Sequence, residues 1–127
     1  MNTSKILVVD DEEDLREALR TSLTAAGCEV VVAKDGAEGL SQALSYKPDL
    51  ILLDINMPNM NGHQVLRELR RDAWGKKVSV ILLTNADDAT NIAQGVGLEG
   101  DDYIIKSQTS LESITKKVKQ YLAGYHD

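Results

Sequence analysis

Five short β-branched runs alternate with segments of helical period, and no other feature of the chain restricts its fold so tightly. "KILVVD" (5–10) reads as a strand. Leu15, Ala18, Leu19, Leu23 and Ala26 then fall on one helical face, which Gly27 closes. "EVVVA" (29–33) is a second strand, and Asp35 can cap a helix over 36–46 with Ala37, Leu40, Ala43 and Leu44 inward. "DLILLD" (49–54), introduced by Pro48, is the third strand. The turn-rich "NMPNMNG" (56–62) leads into a helix ending near Asp72, with Val65, Leu66 and Leu69 inward. "VSVILLT" (78–84) and "DYIIK" (102–106) are the last two strands. Between them, 87–96 reads as a helix weakened by Gly95 and neighbouring Gly97. A final helix over about 110–122 presents Leu111, Ile114, Val118, Tyr121 and Leu122 inward.

Strict strand–helix alternation predicts an α/β fold, a three-layer, doubly wound (βα)5 parallel sheet with helices on both faces. The near-continuous apolar strands agree, because such strands are buried on both sides. Right-handed crossovers bring the C-terminal ends of all strands to one edge. With 127 residues and no repeat or linker, the chain reads as one domain over 1–127, its core at about 4–122.

That edge gathers Asp10 and Asp11, Asp54, Thr84 and Asn85, and Lys106, each ending a different strand. Ligands of open α/β sheets bind there, near the point where strand order reverses. Two further aspartate pairs act as controls. Asp101–Asp102 starts its strand and belongs to the opposite edge, while Asp87–Asp88 opens a helix, where capping and the helix dipole account for it. Three carboxylates in one shallow cleft repel one another unless a cation sits among them. A few hard oxygen ligands suit Mg²⁺, which often binds with a phosphate. Lys106 adds positive charge and Thr84 a neutral donor, an arrangement fit to stabilise a phosphoryl group passing onto a carboxylate oxygen.

A formal charge of −6 argues against a general nucleic-acid surface. One cysteine, Cys28, excludes an internal disulfide, and no apolar run approaches membrane-spanning length. The expectation is a cytoplasmic protein that engages neither nucleic acid nor membrane. Lys116, Lys117 and Lys119 read as solvated groups near a helix C-terminus, and neither His63 nor His126 has metal-ligand company.

At the cleft residues the sequence resembles a response-regulator receiver domain of two-component signalling, of the chemotaxis-regulator type. The likeness runs to about residue 122 through "ILVVDDEED", "KPDLILLDINMPNMNG", "VILLTNAD" and "GDDYIIK", in the family's order and spacing. It implies a flavodoxin-like strand order 2-1-3-4-5. It implies Asp54 as phosphoacceptor, taking a phosphoryl group from a sensor histidine kinase or histidine phosphotransfer protein. Mg²⁺, with Mn²⁺ as a substitute, would be held by Asp11 directly, by Asp10 mainly through water, by Asp54 and by the Asn56 backbone carbonyl. Lys106 would pair with Asp54 at rest, Thr84 would move to the phosphoryl group, and Tyr103 would swing inward behind it. Asn56 and Asn85 would tune the kinetics, and residues about 87–122 would meet a downstream protein. The chain would be a signalling switch and not an enzyme beyond its own phosphorylation and dephosphorylation.

Two residues depart from the family pattern. Ser107 stands where a proline usually follows the lysine in a cis peptide. A cis bond before a non-proline costs roughly 2.5–4 kcal/mol, so a trans Lys106–Ser107 bond is expected. Asn85 replaces a usually small residue and is expected to narrow access to the phosphoryl group. Two other classes compete with the switch. A Mg²⁺-dependent phosphohydrolase with an aspartyl nucleophile would carry an acid where Asn56 stands, and a phosphorylation-independent interaction module would retain the fold alone.

Overall fold

The computed structural model describes residues 3–85 and 102–124. The helix expected over 87–96, with Asp87–Asp88, Gly95 and Gly97, lies outside these, as do Asp101 and His126. The strands are β1 (Lys5–Val9), β2 (Glu29–Ala33), β3 (Leu50–Asp54), β4 (Ser79–Thr84) and β5 (Asp102–Ile105). They form one parallel sheet in the order β2-β1-β3-β4-β5, the order the resemblance implied. The described helices are α1 (Glu13–Ala25), α2 (Gly36–Tyr46), α3 (Gly62–Arg71) and α4 (Leu111–Leu122).

Period-two alternation divides each strand between two cores. Leu7, Val9, Ile51, Leu53, Val80 and Leu82 meet Ala43 of α2 and Val65, Leu66 and Leu69 of α3 on one face. Ile6, Val8, Leu50, Leu52, Ile81, Leu83 and Ile104 meet Leu19 and Leu23 of α1 and Ile114 and Val118 of α4 on the other. A leucine-to-alanine change at a fully buried position such as Leu52 costs about 2–5 kcal/mol. Cys28 is a buried core residue and Trp74 packs half-buried against the first core.

Local chemistry starts most of the helices. Asp35 accepts from the Glu38 N–H at 2.8 Å, Asn61 and Gln64 form a reciprocal capping box, and Ser110 accepts from the Ser113 N–H at 3.1 Å. Gly27 ends the first helical segment at φ +96°, as expected. Helix α1 is the exception, since Glu12 stands at its N-cap and makes no side-chain cap.

Two expected inward faces are corrected. In α2 the buried positions are Gly36, Gly39 and Ala43, while Ala37 and Leu44 are exposed. A Cβ at Gly39 would lie 2.7 Å from Val9 Cγ1, so the helix seats itself through its glycines, which apolar periodicity does not register. Leu111, the first residue of α4, is also exposed, because the buried seam begins with Ile114 one turn later. Of the late-helix lysines, Lys117 pairs with Asp102 at 2.9 Å and Lys119 donates to the Ala26 carbonyl at 3.2 Å, so neither is simply solvated.

Candidate functional site

Register sets the site. Val9 pairs with Ala33 and Leu53, Asp54 with Leu83 and Thr84 with Ile105, which aligns the C-terminal ends of the five strands. Asp10, just beyond β1, is held by its N–H donating to the Ala33 carbonyl at 3.1 Å, and the Arg16 guanidinium donates to the Asp10 carbonyl at 3.0 Å. Asp54 closes β3. Gly62 lets α3 start against that end, since a Cβ there would lie 2.5 Å from the Asp54 carbonyl oxygen.

Asp10 and Asp54 are completely buried, whereas Asp11 is exposed. One carboxylate oxygen from each of the three lies within 4.8 Å of the others, the one such grouping of metal-ligating side chains among the described residues. Asp10 Oδ1 accepts from the Glu12 N–H at 2.8 Å, and Asp54 Oδ1 from the Asn56 N–H at 3.0 Å. The second oxygens face Lys106, whose Nζ is 3.2 Å from Asp10 Oδ2 and 3.3 Å from Asp54 Oδ2. These are ionic contacts, because neither Oδ2 gains a directed hydrogen bond among the described residues. The directed bond of the ammonium goes to Glu12 Oε1 at 3.2 Å.

One ammonium cannot balance this charge. Burial, and then the negative Asp10, push Asp54 up to about 7, against the pull of Lys106 and the Asn56 N–H. Asp10 is raised as well, chiefly by burial. Burial draws Lys106 down, but the facing Asp10 and Asp54 carboxylates leave it above its ordinary value. Buried hard oxygens with unused lone pairs and excess negative charge fit a small divalent cation.

The other expected residues fall around this core. Thr84 is buried at the end of β4, and its hydroxyl donates to the Asn85 carbonyl at 3.1 Å, not to Asp54. Asn56, Asn85 and Ser107 line a cleft of about 420 Å³ together with Glu12, Leu15 and Lys106. The Lys106–Ser107 bond is trans, as expected, since no described peptide is cis, and residues 106–108 form a 3-10 turn. Tyr103 is half-buried against the first core. Asp102 sits at the opposite edge, bonded to the Tyr121 hydroxyl and Lys117, as the aspartate control required. Sequence reasoning missed Glu12 and Arg16. For Glu12 a signal existed, namely a poor capping residue at an N-cap position.

The profile of the response regulator receiver domain matches residues 6–119. The chain belongs to this receiver-domain family. It is 39% identical over 120 residues to the probable transcriptional regulator ycf27 of Porphyridium aerugineum, across 93% of this chain and 49% of that protein. With the response regulator MprA of Mycobacterium avium it shares 36% identity, across 93% and 50%. The receiver domain thus spans about half the length of these curated relatives. Among solved structures it resembles the chemotaxis response regulator CheY4 of Vibrio cholerae (TM-score 0.84, 28% identity, 94% and 98% covered). It also resembles the response regulator TrrA of Thermotoga maritima, solved in complex with Mg²⁺-BeF (TM-score 0.79, 34% identity, 93% and 98% covered). A receiver domain is a signalling switch of two-component systems, and in this one the acidic cluster lies at the strand edge where the sheet order reverses.

Proposed function

We propose that this receiver domain accepts a phosphoryl group on Asp54 from a phosphohistidine of a sensor histidine kinase or phosphotransfer protein, and so switches a protein-binding face. The observation that carries the proposal is the burial of Asp10 and Asp54 together, each with one oxygen held by a loop N–H and the other turned to Lys106. An Asp54 oxygen would form the new bond to phosphorus while the phosphorus–nitrogen bond breaks and the imidazole keeps its electron pair.

Asp10, Asp11, Asp54 and the Asn56 backbone carbonyl would hold Mg²⁺, the ion present in the TrrA complex. When bound, that ion neutralises negative charge developing on the phosphoryl oxygens. The chain's own groups do the rest. Lys106 offers its ammonium from the far side of the cleft. The Asn56 N–H fixes one Asp54 oxygen and so orients the carboxylate. Thr84 would exchange the Asn85 carbonyl for a phosphoryl oxygen, a contact made in only one state. Phosphorylation adds roughly −1.5 to −2 charges at this point, and groups that bind it differentially bias a two-state loop. Tyr103 on β5 would report that bias, and residues about 87–122 would carry it to a downstream protein.

The test is intact mass after incubation with Mg²⁺ and a small phosphodonor, comparing wild type with Asp54→Ala. A labile adduct of one phosphoryl group on wild type alone is expected. No adduct on wild type removes the mechanism.

A further inference from the structure

Asp10, Asp11, Asp54 and Lys106 all have a part in the proposed phosphotransfer, whereas Glu12 has none. It occupies the N-cap of α1 without capping it, and its carboxylate is turned to Lys106 instead. Glu12 Oε1 accepts the directed hydrogen bond of Lys106, while Asp10 and Asp54 hold the same ammonium at similar range by charge alone. The Glu12 side chain is 62% exposed, and Glu12 lines the cleft with Leu15, Asn56, Asn85 and Ser107. A negative group therefore stands where a phosphodonor must enter, and it draws on the cation that should meet the phosphoryl group.

We propose that Glu12 sets the donor preference of Asp54: its carboxylate holds Lys106 toward the cleft mouth and selects against small dianionic phosphodonors. A donor protein can present a cation to Glu12 as it docks, which a small dianion without a cationic group cannot. Glu12 is thus a positioning and selectivity residue, and this inference rests on Asp54 being the phosphoacceptor.

Two small donors separate the effects of charge. Acetyl phosphate carries two negative charges at neutral pH. Asp54 oxygen bonds to its phosphorus, the phosphorus–oxygen bond to the acetyl group breaks, and acetate leaves with the electron pair. Phosphoramidate carries a net single negative charge, with its nitrogen protonated. There the phosphorus–nitrogen bond breaks and ammonia leaves. Glu12 and Asp54 touch the same ammonium, and a unit charge about 6 Å away in water-like surroundings changes a rate about threefold per unit of donor charge.

The experiment measures initial phosphorylation rates by intact mass with both donors, at low and high salt, for wild type, Glu12→Gln and Glu12→Asp. The Lys106 side-chain ammonium is followed in parallel by NMR in the metal-free proteins. Glu12→Gln should raise the acetyl phosphate to phosphoramidate rate ratio about threefold, with the gain shrinking as salt rises. Glu12→Asp keeps the charge and should stay near wild type in that ratio. The Lys106 signal should shift in Glu12→Gln. An unchanged ratio, or an unmoved Lys106 signal, overturns the role of Glu12 while leaving Asp54 as acceptor. No adduct on wild type with either donor overturns both.

Discussion

The Lys106 ammonium lies 3.3 Å from Asp54 Oδ2, although β4 stands between the strands that lead to the two residues. The cation of the site is therefore delivered across a neighbouring strand, to a carboxylate with no exposure to solvent. That reach makes Lys106 a structural partner of the buried acids as well as a candidate ligand for a phosphoryl group.

Lys106→Met should reveal the structural part. Removing one partner of a buried ion pair leaves charge uncompensated, and here about 3–5 kcal/mol of metal-free stability should be lost at neutral pH. The loss should be smaller near pH 4, where Asp54 is already protonated. Urea unfolding in the presence of chelator at the two pH values measures it. An equal loss at both would show that packing of the lysine stem, and not its charge, is responsible.

The raised carboxylates predict a pH dependence of definite sign. Asp54 titrates near 7 in the folded chain against an ordinary value of 3.8, and Asp10 is shifted the same way. Between those limits the folded chain binds more protons than the unfolded one, so the site's contribution to stability falls as pH rises. Mg²⁺ requires the ionised carboxylates, so its affinity should climb through the same window. The thermal shift produced by Mg²⁺ over chelator should therefore grow from about pH 5 to about pH 8. A constant shift across that range would contradict the assignment.

Gly62→Ala should damage the site without touching a charged residue. The added Cβ would meet the Asp54 carbonyl oxygen at 2.5 Å and Ile55 Cα at 2.7 Å, both backbone atoms that have little freedom to yield. Moving the start of α3 should cost about 1–3 kcal/mol. Mg²⁺ affinity by calorimetry should weaken too, because the end of β3 carries one of the carboxylates. Full affinity in a destabilised variant would mean that helix and strand accommodate the methyl without disturbing Asp54.

Asn85→Ala should speed loss of the phosphoryl group. Asn85 follows Thr84 and lines the cleft, so a smaller side chain opens a path for water. The decay of the mass adduct after donor removal measures this directly. An equal or slower decay counts against a gating role.

Much of the fold was legible because apolar runs and helical periods alternate without exception, and parallel topology then assigns each strand end to an edge. Asp10, Asp54, Thr84 and Lys106 could be grouped on that basis alone. The buried face of α2 was legible only in part: Leu40 and Ala43 were read inward correctly, but the close contact made by Gly36 and Gly39 was not, since they carry no apolar side chain to count. Glu12 left a trace, a poor capping residue at an N-cap position, but which of three acids the lysine bonds directionally is a matter of ångströms that spacing does not encode. The hydroxyl direction of Thr84 escaped for the same reason.

The two-sided core has a consequence for how this sequence chooses its alignment. Each strand buries apolar side chains on both faces, so a one-residue slip of β3 would exchange its inner residues between cores with little change in character. Burial of oil alone therefore discriminates poorly between neighbouring registers. The ionisable groups at the strand ends do discriminate, since a slipped Asp54 would move away from Lys106, which reaches it from another strand. The residues that make the molecule responsive also serve as its alignment marks. A variant stripped of them for greater stability would lose the feature that tells one register from the next.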